Sequence, residues 1–293
     1  MSAVRIAAAP ISWGVCEVPG WGLQLSPDRV LGEMADLGFS ATEFGPEGFL
    51  PRESGAKAAT LRAVGLTAVG GFVPAILHVD GHDPLPAIAL ELDAFEVAGA
   101  DVLVVAAATG VDGYDAARPV LDEAAWTRLL LNLDAIDAAA GRRGITAVIH
   151  PHVGTIVENP AEISRVLEGS SIGFCLDTGH LLIGGTDPVD FALRHSARIR
   201  HTHLKDVDLG IAALVRDGAL GYYDAVTRGL YRALGRGDID IRSIVTSLMS
   251  SGYSGWFVLE QDNVVVAEPA AGAGPMLEAR ASIDFLRSIL ADP

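Results

Sequence analysis

The chain alternates between short apolar runs and longer segments in which apolar residues recur every three or four positions. Short apolar runs bounded by glycine or proline predict buried strands, and the longer spacing predicts amphipathic helices. Eight strands are predicted at 4–9, 41–44, 66–73, 101–107, 145–149, 172–176, 199–204 and 256–259. Helices are predicted between and after them at 26–38, 57–64, 84–98, 122–141, 160–167, 188–195, 241–250 and 275–290.

Strict alternation of strands and helices predicts a parallel sheet whose two faces are both covered. Eight such units in a chain of 293 residues favour a closed (β/α)₈ TIM barrel over an open sheet. No change of composition marks a boundary, so residues 1–293 are interpreted as one barrel domain.

One connection, at about 206–240, is longer than the others. Long loops in compact domains are usually functional or disordered. The aromatic and arginine content favours an ordered flap over the barrel mouth, an active-site loop that contains Arg216, Tyr222, Tyr223, Arg228, Tyr231 and Arg236.

The composition narrows the function further. Half of the residues are hydrophobic and the formal net charge is −16, so the average surface repels a phosphate backbone and nucleic-acid binding is not expected. Two cysteines, Cys16 and Cys175, are too few for a disulfide framework. No signal peptide or membrane-spanning run is recognised, so a cytoplasmic protein without membrane contact is expected.

Titratable side chains follow four consecutive strands. Asp177 ends the sixth strand, with His180 three residues further, and the seventh ends in His203 and Lys205. An aspartate at that point is also a common helix N-cap, so one strand end alone would be weak. The fifth and eighth strands add His150, His152 and Glu260.

Strand ends meet at one mouth of a (β/α)₈ barrel, where active sites lie. A mixed imidazole and carboxylate shell suits Mn²⁺, Co²⁺, Fe²⁺ or Zn²⁺, and no thiolate is predicted in it. Glu43, at the end of the second strand, is either a substrate ligand or an ion-pair partner. Trp13 is either a wall of the pocket or a plug at the mouth. Lys205 is either a solvated charge or a partner for a substrate oxygen.

The motifs resemble the xylose isomerase-like sugar isomerase/epimerase barrel superfamily, and within it the inosose dehydratases of myo-inositol catabolism. The resemblance rests on residues at both ends of the chain, which are 9–13, 150–155, 174–180, 201–206 and 255–262.

The resemblance implies one divalent metal, with Mn²⁺ or Co²⁺ preferred over Zn²⁺, Fe²⁺ or Mg²⁺. Its ligands by position are His150, Asp177, His203 and Glu260. Sugar epimerases of this superfamily usually carry glutamate at the place of His150, so half of their acid/base pair is missing here. Glutathione as a helper and a dimeric or tetrameric assembly are also implied by the resemblance.

The resulting hypothesis is a hydro-lyase that removes water from a small polyhydroxy ketone, 2-keto-myo-inositol, through a metal-stabilised enediolate. Either Glu260 or His152 is the base, while Lys205 and His180 bind substrate oxygens or assist departure of hydroxide. A ketose 3-epimerase with the same metal is the alternative. A non-catalytic sugar-binding barrel is a third reading, and the net charge disfavours an apurinic-site endonuclease.

Overall fold

A computed structural model describes residues 4–111 and 113–291. Its strands are β1 Arg5–Ala8, β2 Ala41–Thr42, β3 Thr67–Ala68, β4 Gly70–Ala75, β5 Val102–Ala107, β6 Thr146–Ile149, β7 Gly173–Asp177, β8 Ile199–Leu204, β9 Asp206–Val207, β10 Tyr231–Arg232 and β11 Trp256–Leu259. Its α-helices are α1 Pro27–Asp36, α2 Ser54–Ala63, α3 Leu85–Ala98, α4 Glu123–Gly141, α5 Pro160–Gly169, α6 Thr178–Ile183, α7 Pro188–His195, α8 Leu209–Arg216, α9 Tyr222–Thr227, α10 Ile241–Ser250 and α11 Pro275–Ala291.

Nine parallel strands form the barrel, in the order β3-β2-β1-β11-β8-β7-β6-β5-β4. β3 and β4 are two halves of one barrel strand, which pairs first with β2 and then with β5. Gly70 sits at the break, where a Cβ would lie 1.7 Å from the carbonyl oxygen of Val102. Only glycine permits that approach, so Gly70 allows β4 to pair with β5 and complete the barrel.

The alternation of side chains along each strand separates two apolar layers. Inward-facing residues are mostly alanine and valine, such as Val102, Val104 and Val258, and they fill the barrel interior. Outward-facing neighbours such as Leu103 and Val105 pack under the helices. The period of two in a strand therefore assigns every strand residue either to the barrel interior or to the helix layer.

Helix starts follow the capping rules. Ser26 accepts from the backbone N–H of Arg29 with Pro27 in the first turn, and Asp122 accepts from Ala125. Asn159 forms a full capping box with Glu162 at the start of α5. These side chains satisfy N–H groups that the helix itself leaves without acceptors, which is why the predicted starts are close to the observed ones.

The bounds predicted for β8, β11, α7 and α10 agree with the structure. The strand predicted at 66–73 is interrupted at Val69. The N-cap considered for Asp177 is present, since the short helix α6 begins directly after it. The long connection at 206–240 is not a plain loop, because it holds α8, α9 and an antiparallel β9–β10 pair. No helix in the described ranges is long and apolar enough to cross a membrane.

Candidate metal centre and active site

The polar site continues the inward-facing rows of the barrel. Each polar residue comes two positions after an inward-facing one, so it must point into the same mouth. Glu43 follows Ala41 in this way, and Asp177 follows Cys175. The other rows are His150 and His152 after Val148, His203 and Lys205 after His201, and Glu260 and Asp262 after Val258.

Asp177 is fully buried and uses its two oxygens differently. Oδ1 accepts from the backbone N–H of His180 at 2.8 Å and caps α6. Oδ2 lies 3.3 Å from Nε2 of His150 and 3.3 Å from Nζ of Lys205. The two interpretations of Asp177 from the sequence, a helix N-cap and a member of the polar site, are therefore compatible, since one carboxylate does both.

His203 joins the carboxylates on two sides. Its Nδ1 lies 3.2 Å from Oε2 of Glu260 and 3.6 Å from Oδ2 of Asp177. Its Nε2 lies 3.0 Å from Oε1 of Glu43, which also accepts from Nε2 of His201 at 2.9 Å. A carboxylate only accepts, so both imidazoles present N–H to Glu43, which fixes the ring orientation of His203.

The donor set fits a divalent cation. Asp177, His203 and Glu260 offer ligand atoms that all lie within 4.8 Å of one another, and so do His150, Asp177 and His180. Nδ1 of His203 is buried and, although it lies 3.2 Å from Oε2 of Glu260, makes no hydrogen bond of acceptable geometry among the described residues. An imidazole nitrogen without a partner beside two carboxylates is the arrangement a cation would complete.

Burial and neighbouring charges together set the protonation states in this site. It lowers the pKa of His150 to about 4, so its imidazole is neutral and available as a ligand. Burial also raises the pKa of Glu260 to about 7, against the opposing charges of His203 and Lys205. For Asp177 burial opposes ionisation, but Lys205 and the imidazoles outweigh it and hold its pKa well below the usual range.

Lys205 is the positive centre of the site. Its ammonium is buried and lies 3.2 Å from Oε2 of Glu260, 2.7 Å from Oδ1 of Asp262 and 3.0 Å from Nε2 of His180. Asp262 in turn accepts from the hydroxyl of Tyr222 at 2.6 Å. Gly179 makes room for this lysine, since a Cβ there would lie 2.9 Å from Cβ of Lys205.

These groups open into one cavity of about 850 Å³. Its polar wall includes Glu43, His150, His152, His203, Lys205, Glu260 and Asp262. Asp177 and His180 are buried next to this wall and contact Lys205 without lining the cavity themselves. The ring of His152 packs between those of Tyr114, at 4.6 Å, and His180, at 3.6 Å.

The structure corrects the placement of Trp13. Its side chain is completely buried and its Nε1 donates to Oε2 of Glu33 at 2.8 Å, so it anchors the first loop to α1. Within the described residues the cavity wall does not include Trp13. The indole that lines the cavity is Trp21, which donates to the carbonyl of Asn263 and packs on Tyr223.

Several residues of the site were not assigned a role from the sequence. No thiolate is predicted in the shell from the sequence, yet Sγ of Cys175 lies within 4.8 Å of imidazole nitrogens of His150 and His203. The alternation signal places it two residues before Asp177 on the inward face. Burial raises the pKa of its thiol to about 11, so it is a neutral neighbour. Asp262 and Tyr114 were also missed, and only Asp262 shares that signal.

Fold and site together define an enzyme of the (β/α)₈ barrel class, with a polar centre at the carboxyl ends of the strands. The chain belongs to the Xylose isomerase-like TIM barrel family, whose model matches residues 31–289.

Two curated relatives are similar to the chain over most of its length, and one solved structure shares its fold. It is 32% identical to the rhizopine catabolism protein MocC of Rhizobium meliloti over 89% of this chain and 82% of that protein. It is 32% identical to the inosose dehydratase of Geobacillus kaustophilus, with 90% of each chain covered. A structure of L-ribulose 3-epimerase superposes with a TM-score of 0.71 at 16% identity, covering 98% of this chain and 95% of that one.

Proposed function

We propose that the protein is a metal-dependent hydro-lyase that removes water from a small polyhydroxy ketone, with 2-keto-myo-inositol as its substrate. The observation that carries the proposal is the convergence of Asp177, His203 and Glu260 beside the buried ammonium of Lys205. The inosose dehydratase relative, which matches over 90% of this chain, supports the choice of substrate.

The metal would be held by His150, Asp177, His203 and Glu260, two imidazoles and two carboxylates, a set that suits Mn²⁺ or Co²⁺. When bound, a divalent ion supplies Lewis acidity toward the ketone oxygen and so acidifies the neighbouring C–H group. Glu43 keeps the ring of His203 turned so that Nδ1 faces Asp177 and Glu260.

Two side chains are placed to take the proton from the α-carbon. Glu260 lines the cavity and lies 3.2 Å from the ammonium of Lys205, so its carboxylate is one candidate base. His152 lines the same cavity, and its Nδ1 donates to the carbonyl of Val153 at 2.7 Å, which leaves Nε2 as the basic nitrogen. Breaking the C–H bond leaves its electron pair on the substrate, conjugated with the carbonyl group.

The hydroxyl on the β-carbon must then leave as water, which requires a proton. In this proposal the proton is the one that the base took from the α-carbon. Lys205 assists the departure by donating a hydrogen bond to the leaving oxygen, because its ammonium lines the cavity and stays charged between Asp177, Glu260 and Asp262. These carboxylates hold the pKa of Lys205 well above its ordinary value despite burial. His180 contacts Nζ at 3.0 Å, so it orients the lysine rather than reaching the substrate directly.

The test is to incubate Mn²⁺- or Co²⁺-loaded protein with 2-keto-myo-inositol and follow the ultraviolet absorbance of a conjugated diketone or its enol. The expected result is a rise that depends on added metal and is lost in Asp177→Asn. Replacing Glu260 with Gln and His152 with Asn in separate variants, followed by exchange of the α-proton in deuterated water, identifies the base. No absorbance change with metal bound would reject the lyase.

A ketose 3-epimerase is the second candidate, because the fold superposes on L-ribulose 3-epimerase. It would exchange a carbon-bound proton with solvent and release no water. The neutral imidazole of His150 stands where such epimerases usually have a glutamate, which favours the lyase. Incubation with a panel of ketoses in deuterated water separates the two, since only an epimerase returns an isomer that carries deuterium at the reacting carbon.

A further inference from the structure

The cavity is much larger than the proposed substrate. A keto-inositol has twelve heavy atoms, and even at the roughly 30 Å³ that each water occupies in the liquid these fill about 360 Å³. The cavity measures about 850 Å³, so more than half of it lies beyond the ketone. The surplus is continuous with the polar centre and belongs to the same cavity.

The surplus volume has an apolar wall that we call the outer arm, formed by Pro46, Leu50, Ile76, Ala87, Ile88 and Ala94. Phe44 and Phe95, edge to face at 5.2 Å, also line this part of the cavity. The wall comes from the loop after β2, the end of β4 and one face of α3. Polar groups that could direct a sugar hydroxyl are concentrated instead at the strand ends.

Apolar surface is left accessible here by the fold itself. Pro74 is exposed and Val73 and Ala75 are half-buried, although barrel strands of this kind are normally covered on both faces. On the helix α3, Ala87 and Leu90 are exposed and also line this cavity. An open apolar wall that begins inside a polar cavity is typical of a site for a ligand with both kinds of surface.

The charges around the outer arm favour neither sign. Arg52 pairs with Glu47 at 3.0 Å, and the ammonium of Lys57 lies 4.5 Å above the ring of Phe44. Glu91 and His82 complete the charged and polar groups at the rim. Recognition in the outer arm therefore rests on apolar contact rather than on an ion pair.

We propose that the outer arm is a subsite for an apolar substituent, joined through an ether or glycosidic oxygen to the ketone that binds at the polar centre. This inference deepens the proposed function and rests on it for the identity of the ketone. The preferred substrates are thus O-alkylated or O-arylated polyhydroxy ketones, and an unsubstituted keto-inositol fills only the inner half of the cavity.

Calorimetric binding to the metal-loaded protein tests this with two probes, 2-keto-myo-inositol and its mono-O-benzyl ethers. At least one benzyl ether is expected to bind roughly tenfold or more tightly than the parent, because the ring removes apolar surface from water. Ala94→Phe and Ala87→Phe, which fill the outer arm from two positions, should bring the ratio of the two affinities to about one. Val97→Phe, at an exposed position of α3 outside the cavity wall, should leave that ratio unchanged.

The outcomes separate the two proposals. Equal affinity for parent and all benzyl ethers, or a preference that survives in both folded filling variants, would overturn the outer arm. Benzyl alcohol serves as a third probe that lacks the ketone. In another outcome the parent ketone fails to bind or react, while benzyl alcohol binds to the wild type and not to Ala94→Phe. That result supports the subsite and shows that the proposed ketone is wrong. Melting temperatures of all variants show that each is folded.

Discussion

Two buried aspartates lie at the carboxyl ends of neighbouring barrel strands and have different roles. Asp177 is the last residue of β7 and Asp206 comes two residues after the end of β8, and both side chains are completely buried. Asp177 turns one oxygen to imidazoles and a lysine. Asp206 instead accepts from four backbone N–H groups, those of Val207, Gly235, Gly237 and Ile239, at 2.9–3.0 Å.

The difference teaches that partners, not burial, decide whether a carboxylate serves chemistry or architecture. The charge of Asp206 is met by fixed N–H dipoles of the chain, so it ties the ends of the segment 206–240 together. The charge of Asp177 is met by side chains that can also bind a ligand. A carboxylate saturated by backbone donors has no capacity left for a cation, whereas one facing imidazoles does.

The largest effect is expected from Asp177→Asn, which tests whether this aspartate has the functional role. Asparagine caps helices as well as aspartate, so α6 keeps its cap and the melting temperature stays near that of the wild type. The loss of charge beside His150, His203 and Lys205 should lower turnover of the ketone by about 10²–10³-fold. Rates are followed by absorbance, and metal content is measured in the same samples. A fully active variant would remove Asp177 from the site.

Asp206→Ala tests the structural side. It removes the acceptor of four N–H groups, two in buried and two in partly buried hydrogen bonds, so the free energy of unfolding should fall by about 2–3 kcal/mol. Urea denaturation measures this free energy, with Asp208→Ala as the control. Asp208 is a half-buried N-cap of α8, so its replacement should lower the stability less. Unchanged stability in Asp206→Ala would contradict a structural role. Catalytic loss without destabilisation would place Asp206 with Asp177.

Glu43→Gln sharpens the comparison by asking to which class a third strand-end carboxylate belongs. The amide carries no charge and leaves His203 less firmly oriented, so affinity for Mn²⁺ or Co²⁺ should fall by roughly 10–100-fold. Isothermal titration calorimetry measures it on the metal-free protein. Glu33→Gln is the matched control, since Glu33 is also buried and its partners in the described part of the chain are Arg29, Trp13 and the backbone of Gly272. Equal affinities in both variants would assign Glu43 to the structural class.

Tyr222→Phe is expected to have the smallest effect. It tests the contact between the segment 206–240 and the polar site. Tyr222 belongs to the segment that Asp206 ties, and its hydroxyl donates to Asp262, the partner of Lys205. Loss of one hydrogen bond to a carboxylate is worth roughly 1–2 kcal/mol, or about 5–30-fold in kcat/KM. Tyr223→Phe is the control, because Tyr223 packs its ring on Trp21. If the two variants behave alike, the segment does not support Lys205.

Much of the fold followed from periodicity. The strand β11 is predicted with its observed bounds because its apolar run ends at the polar Glu260, and the helix predicted from residue 160 begins there as α5. The antiparallel pair β9–β10 was not predictable in this way. Its strands have two residues each, and their pairing depends on backbone bonds to Asp206 from more than twenty-five residues away.

The site was predictable to the extent that it repeats along strands. His150, Asp177, His203, Lys205 and Glu260 follow inward-facing positions, and a barrel must bring such positions together. Trp13 was misplaced because an aromatic residue in a loop after a strand gives no direction for its side chain. Its complete burial and its bond to Glu33 in α1 show that it belongs to the core.

The amino-acid sequence by itself determined the eight βα units, the inward or outward direction of each strand residue, and hence the identity of the polar mouth, because these depend on local periodicity. The tertiary structure alone decided that Oδ1 of Asp177 caps a helix while Oδ2 faces the site, that Asp206 binds backbone, and that an apolar arm extends the cavity. Those features arise from distances between residues far apart in the chain, which no local pattern of polarity encodes.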